Sequence, residues 1–125
     1  MKITTIIEND VEIAVVSSSR LLIIDVQSAL DLIATVHYET GCDRIILSKS
    51  AICEDFFDLR TKLAGEILQK FINYQMKLAI VGDFSKYTSK SLQDFIYESN
   101  RGNCIFFLNS EKQAAEKLSS GEFRI

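Results

Sequence analysis

The polar side chains that could recognise a ligand or a partner follow two apolar runs of this 125-residue chain, residues 44–47 and 77–81. In an open α/β sheet, the loops after parallel strands meet at one edge, where ligands bind. Carboxylates, a guanidinium group and hydroxyls at such an edge can hold a polar ligand, contact a partner protein or accept a phosphate. The candidate residues are Ser50, Asp55, Asp58, Arg60, Thr61, Asp83 and Ser85.

Each candidate also has a structural interpretation. Gly82 and Asp83 are typical of a tight turn that the carboxylate caps. Asp55, Asp58 and Arg60 stand at the predicted start of a helix, where carboxylates offset the helix dipole and cap its free N–H groups. The functional alternative is a surface for partner recognition or phosphorylation, with Arg60 as a salt-bridge donor, and the sequence leaves both interpretations open.

Catalytic, metal and cofactor signatures do not appear in the sequence. The one histidine, His37, falls on a predicted helix stripe with Ile33, so we expect a packed or half-buried ring and not a general base. Cys42, Cys53 and Cys104 lack metal-ligand spacing. The five glycines are too scattered for a phosphate-binding loop. We therefore expect no catalytic residue, no metal and no cofactor.

Composition narrows the class of partner and the location. The net charge of −3, without a run of basic residues, argues against binding to nucleic acid or to anionic membranes. No apolar run approaches the ~20 residues that span a bilayer, and we see no secretory signal. An odd number of cysteines without a disulfide framework is typical of a reducing compartment, so we expect a cytoplasmic protein.

The elements that position the candidates follow from apolar periodicity. Residues 2–7 and 11–16 are β-rich runs around a turn-forming triplet, which predicts an antiparallel hairpin. Asp25 is placed to cap a helix that runs to Thr40, and Gly41 is placed to end it. The other predicted elements are strands at 44–47, 77–81 and 104–108 and helices from 58 to about 72, from 88–91 to 100 and from 110 to 118.

Two features of these helices carry their own expectations. A glycine inside a helix is costly, so Gly65 predicts close packing against the sheet or, alternatively, a partner chain. Ser110 and Gln113 have the spacing of a capping box before the last helix. Residues 119–125 are predicted to form a C-terminal tail, which leaves residues 1–118 as a single domain.

Two segments carry a resemblance to a known family. FFDLRTKLAGEILQKFINYQMKLAIVGDFS (residues 56–85) and DFIYESNRG (residues 94–102) resemble the core motifs of a small bacterial family of uncharacterised domains. The resemblance extends over most of the chain. Because that family has no established activity, the resemblance implies membership of a family and no particular reaction.

A more distant resemblance is to STAS domains, the class of the sigma-factor antagonists. The shared features are an opening hairpin followed by alternating helices and strands. In that class, an Asp-Ser-Ser-Gly-like helix start carries a serine that a partner kinase phosphorylates. Here the strand RIIL and the loop SKSAICEDFF lead to Asp58, which matches the Asp. Leu59 stands in place of the serine, the glycine is absent, and Thr61 is the nearest hydroxyl.

These observations together predict a STAS-like α/β domain of the order β-β-α-β-α-β-α-β-α, with a mainly parallel sheet and helices packed on it. The favoured function is a non-enzymatic regulatory module that binds a protein partner. The alternative is a small-molecule or enzymatic site at the same strand edge. A homodimer through the hairpin edge or the Gly65 region is a further possibility.

Overall fold

An N-terminal β-hairpin opens the fold in the computed structural model, which describes residues 1–120. Strand β1 (Lys2–Glu8) pairs antiparallel with strand β2 (Val11–Ser17) along its whole length. Asn9 and Asp10, with φ angles of 52° and 66°, form the turn. Two-residue hairpin turns need such left-handed conformations, which Asn and Asp tolerate well. The predicted hairpin is confirmed.

Three further strands extend the sheet in chain order. They are β3 (Arg44–Ser48), β4 (Lys77–Val81) and β5 (Ile105–Leu108), and the sheet order is β1-β2-β3-β4-β5. Every pairing after the hairpin is parallel. Because right-handed crossovers that advance in one direction put their helices on the same face, one side of the sheet carries three helices.

Within residues 1–120, four α-helices cover the two faces of the sheet. Helices α1 (Val26–Thr40), α2 (Leu63–Asn73) and α3 (Lys90–Arg101) contribute to the larger apolar layer, and α4 (Glu111–Ser120) packs on the opposite face. The chain is therefore a single α/β domain with a mostly parallel five-stranded sheet and an N-terminal antiparallel hairpin, as predicted. No helix within residues 1–120 is both long and apolar enough to cross a membrane.

Helix caps lie where the sequence places them. Asp25 accepts a hydrogen bond from the Ser28 amide at 2.8 Å, and the Ser28 hydroxyl accepts one from the Asp25 amide at 3.1 Å. Gly41 ends α1 with a left-handed φ of 72°. Ser89 caps α3. These short-range bonds satisfy backbone groups that a helix end would otherwise leave free.

The last helix is longer than predicted. It continues through Ser119 and Ser120, which the sequence analysis placed in the tail. Ser119 is buried, and its hydroxyl accepts a hydrogen bond at 3.0 Å from the Asn9 side chain in the hairpin turn. This contact across the fold explains the extra length, and the rest of the predicted tail, residues 121–125, lies outside the described residues.

Two packing predictions are wrong: that Gly65 packs closely against the sheet, and that the His37 ring is packed or half-buried. The alternative of a partner chain at Gly65 stays a prediction. An added Cβ at Gly65 would meet no atom within 4 Å, so this glycine permits no close packing against the sheet. Its neighbour Ala64 faces the core instead. His37 is exposed because the buried stripe of α1 runs through Ile33 and Val36 and leaves the next position in solvent.

Candidate functional site

The loop from β3 to α2 folds into three short 3₁₀ turns, at Lys49–Ala51, Glu54–Phe57 and Leu59–Thr61. Asp58 caps the third turn by accepting a hydrogen bond from the Arg60 amide at 3.1 Å. Lys62 then adopts a left-handed φ of 65°, and α2 begins only at Leu63. The predicted placement of Asp55, Asp58 and Arg60 at the start of α2 is wrong, because the left-handed residue interrupts the helix there.

Asp58 and Arg60 form a two-bond ion pair on the surface. Arg60 Nε lies 3.0 Å from Asp58 Oδ1, and Arg60 Nη2 lies 2.9 Å from Asp58 Oδ2. The hydrogen bonds from Arg60 lower the pKa of Asp58, and those bonds in turn raise the pKa of Arg60. The Arg60 side chain is 90% exposed, so the pair adds little to stability and presents both charges to solvent.

The Thr61 hydroxyl joins this loop to α2. Thr61 Oγ1 lies 2.8 Å from the carbonyl oxygens of both Asp55 and Asp58. It also accepts a hydrogen bond from the Leu63 amide at 3.2 Å. These contacts fix the path of the chain, so the hydroxyl that the STAS resemblance nominates has a structural use.

The loop from β4 to α3 carries the other candidates. Asp83 Oδ1 accepts a hydrogen bond from the Ser85 amide at 2.9 Å. Hydrogen bonding to Ser85, first through its side chain and then through its amide, lowers the pKa of Asp83. Gly82 has no left-handed φ, so the predicted turn does not explain this glycine. An added Cβ there would stand 2.6 Å from the Cβ of Lys49. Gly82 therefore makes room for the neighbouring loop.

Aromatic rings and a lysine fill the space between the two loops. The rings of Phe57 and Tyr87 stack with their centroids 5.1 Å apart, and Lys49 Nζ lies 5.5 Å and 5.1 Å from the same two centroids. The Tyr87 hydroxyl donates to Glu54 at 3.2 Å, and Lys86 Nζ lies 3.5 Å from Glu54. We call Lys49, Phe57 and Tyr87 the Lys49 cluster.

The Lys49 cluster is mostly withdrawn from solvent. The Lys49 side chain is only 17% exposed. Burial is the first cause of the raised pKa of Tyr87, and the nearby charge of Glu54 is the second. The carboxyl ends of β3 and β4 are therefore covered by side chains of this chain.

Beside the Lys49 cluster lies an open cleft of about 840 Å³. It brings together three of the predicted residues, Asp55, Asp58 and Arg60, with side chains that the sequence analysis missed. Those further lining residues are Glu54, Phe57, Leu59, Tyr87, Ser89 and Ser91. The sequence did contain a signal for Tyr87, because an aromatic side chain in the mostly polar stretch 82–89 suggests a packing or binding role.

The remaining predicted residues lie outside the cleft lining. Ser50 is on the β3 side, where its hydroxyl lies 2.9 Å from that of Ser48, and Asp83 and Ser85 are bonded to each other in the next loop. Across the described residues, no group of three or more His, Cys, Asp or Glu side chains could hold a metal ion.

The strand order explains the shape of this edge. Ligand crevices of open α/β sheets form where the strand order reverses and neighbouring crossovers diverge to opposite faces. Strands β2 to β5 advance in one direction across the sheet, so residues 1–120 contain no such reversal. The surface at the strand ends is consequently a filled edge with an open cleft beside it.

Comparison with protein families identifies the chain. A family model described as a domain of unknown function, DUF4180, matches residues 8–118. The chain belongs to this family. The DUF4180 match includes both loops of the candidate surface and starts at the last residue of β1. Neither the curated proteins nor the solved structures contain a match to the chain.

Proposed function

We propose that this DUF4180 domain is a non-enzymatic, STAS-like module whose protein partner binds the cleft formed by the β3–α2 and β4–α3 loops. One observation carries the proposal: the Lys49 cluster fills the strand ends, while Asp58 and Arg60 stand exposed at the rim of the cleft beside it. Exposed charges around an aromatic floor suit recognition of another protein surface, where Tyr, Phe and Arg are enriched.

The protonation behaviour of this surface also favours binding over catalysis. General acid–base catalysis works best with a pKa near the working pH. The pKa values of Asp58 and Asp83 are lowered, and those of Arg60 and Tyr87 are raised. All four shifts lead away from neutrality. These groups therefore hold fixed charge states near pH 7, which suits a recognition surface.

The small-molecule alternative depends on an enclosed pocket with convergent polar groups. The cleft is open to solvent, and polar groups in its lining already have partners. Arg60 bonds to Asp58, and Glu54 accepts a hydrogen bond from Tyr87 and lies 3.5 Å from Lys86 Nζ. A ligand would have to replace these bonds. This arrangement supports the protein-binding proposal over its alternative.

The resemblance to STAS domains adds the idea of a phosphorylation switch. A phosphate would add close to two negative charges. At Thr61, it would also remove the hydroxyl contacts that join the loop to α2. We propose that any such modification acts by rearranging the rim of the cleft, which moves Asp58 and Arg60 relative to a bound partner.

Affinity capture from native extract tests the proposal, with mass spectrometry reading proteins, phosphorylated residues and bound metabolites. Arg60→Glu should lose the specific partner, because it reverses the charge at the rim. Arg101→Glu is the matched control, since Arg101 is also an exposed arginine beside a carboxylate, Glu98, and does not line the cleft. If Arg60→Glu captures every protein that the control captures, or if only a metabolite is found, the proposal is wrong.

A further inference from the structure

We infer that β1 pairs antiparallel with β1 of a second copy of this chain, with the two-fold axis at Thr5. The pairing would join two five-stranded sheets into one continuous sheet. It uses the hairpin edge and is independent of the cleft proposed above to bind another protein.

The outward groups of β1 form the first step of the argument. In a two-residue hairpin, the flanking residues Glu8 and Val11 form a hydrogen-bonded pair, and bonded and non-bonded pairs then alternate. The even-numbered residues of β1 therefore bond to β2. The odd-numbered residues Ile3, Thr5 and Ile7 direct their N–H and C=O groups away from the sheet. Among the described residues, these outward groups have no other hydrogen-bond partner.

The sequence of β1 is complementary to itself in one register. When Thr5 faces Thr5 of the second copy, Ile3 faces Ile7 and Lys2 faces Glu8, each twice because of the symmetry. All three outward residues are then matched with outward residues, so the full set of edge hydrogen bonds forms. Opposite charges and apolar pairs directly across an antiparallel ladder both stabilise it.

The exposure of these side chains fits the same register. Ile7 is 71% exposed, and Ile3 on the same face of β1 is partly buried against the core. Facing Ile3 of the second copy would cover Ile7. Lys2 and Glu8 take part in no ion pair within residues 1–120, so both charges are available.

The opposite edge of the sheet cannot propagate the pairing. The Asn100 side chain accepts a hydrogen bond from the Phe107 amide at 2.7 Å and donates one to the Phe107 carbonyl at 3.1 Å. The outward groups in the middle of β5 are thus already bonded. With one free and self-complementary edge, association closes at a two-fold symmetric dimer.

Sedimentation equilibrium over a concentration series tests the inference, with a dimer of twice the 14.1 kDa chain mass expected at high concentration. Lys2→Glu or Glu8→Lys alone would place like charges opposite each other at both symmetric positions. Either change should raise the dissociation constant of the dimer about tenfold. The double variant Lys2→Glu/Glu8→Lys restores opposite charges and should restore the dimer. A monomer at every concentration, or a double variant no better than the singles, would overturn the inference.

Proline substitution provides a second test that does not depend on charge. Proline lacks an N–H group and is tolerated at an edge position whose N–H faces solvent. Thr5→Pro should abolish the dimer and keep a folded monomer by circular dichroism. Thr4→Pro is the control, because it removes a bond to β2 and should lower the melting temperature. A Thr5→Pro protein that stays dimeric contradicts the proposed pairing.

Discussion

The two edges of the sheet differ in whether their outward backbone N–H and C=O groups are hydrogen-bonded. Strand β5 is short, and Asn100 at the end of α3 bonds both the amide and the carbonyl of Phe107. Strand β1 is longer, and its outward groups at Ile3, Thr5 and Ile7 have no such cover among the described residues. Edge strands left uncovered are templates for pairing. A helix end beside the strand, more than the strand itself, therefore determines whether the backbone groups of an edge are free.

Removal of the Asn100 side chain tests the protected edge and should have the largest effect. Asn100→Ala leaves the Phe107 amide and carbonyl without their partner, so we expect the free energy of unfolding to fall by about 2 to 3 kcal/mol. Urea denaturation measures the change. Asn103→Ala is the matched control, since Asn103 is exposed and should change stability by less than about 0.5 kcal/mol. Equal losses in the two variants would show that Asn100 protects nothing.

Gly82, after the end of β4, is a covered position like Phe107 at the protected edge. The Lys49 side chain occupies the space beside it. Gly82→Ala places a methyl group 2.6 Å from Lys49 Cβ, an atom held to the backbone of the neighbouring loop. We expect the free energy of unfolding to fall by about 1.5 kcal/mol because of this overpacking. Thermal unfolding measures the loss, and an unchanged melting temperature would mean that the two loops separate without cost.

The same Gly→Ala substitution at Gly65 tests a glycine with open space around it. Nothing lies within 4 Å of an added Cβ, and the position is in the exposed face of α2. Gly65→Ala should therefore raise the free energy of unfolding by about 1 kcal/mol, because alanine restricts the unfolded chain and favours the helix. A destabilised Gly65→Ala protein would instead indicate that a partner chain packs closely at this glycine.

The smallest effect concerns the ionisation of Tyr87 beneath the filled edge. Because its pKa is raised in the folded state, its contribution to stability is present below the unfolded pKa and is lost as the pH rises through the folded pKa. Glu54→Gln should lower the pKa of Tyr87 and still leave it above the ordinary value, since burial is the larger cause. NMR titration of the Tyr87 ring measures its pKa in the wild-type protein and in the variant. A Tyr87 ring that titrates at the ordinary pKa of tyrosine in the wild-type protein would show that the edge is open.

Sequence reasoning was successful for features with short-range causes. The hairpin turn at Asn9 and Asp10, the cap at Asp25 and the left-handed Gly41 all follow from residues within a few positions of each other. The apolar run of β4 correctly predicted a buried parallel strand. Apolar periodicity gave the wrong result for His37. The periodicity shows which side of α1 faces the core, but it does not show how wide the buried face is, and His37 lies just outside it.

The candidate surface shows where sequence reasoning stops. Asp55, Asp58 and Arg60 were nominated from their position after a strand, and the structure places all three in one cleft. The start of α2 was misplaced because only the backbone conformation of Lys62 reveals the interruption. Tyr87 and Glu54 were missed since they are 33 residues apart in the chain.

The sequence by itself determined the order of elements, their caps and the parallel sheet, because periodicity and capping act over a few residues. Only the tertiary structure determined that Lys49 fills the strand ends beside Gly82, that Asn100 protects β5 and that β1 stays free. Each of these features depends on two distant segments coming together, and a local preference contains no information about which segment arrives. Tertiary packing therefore determines which surfaces of this protein are covered and which stay free to bind.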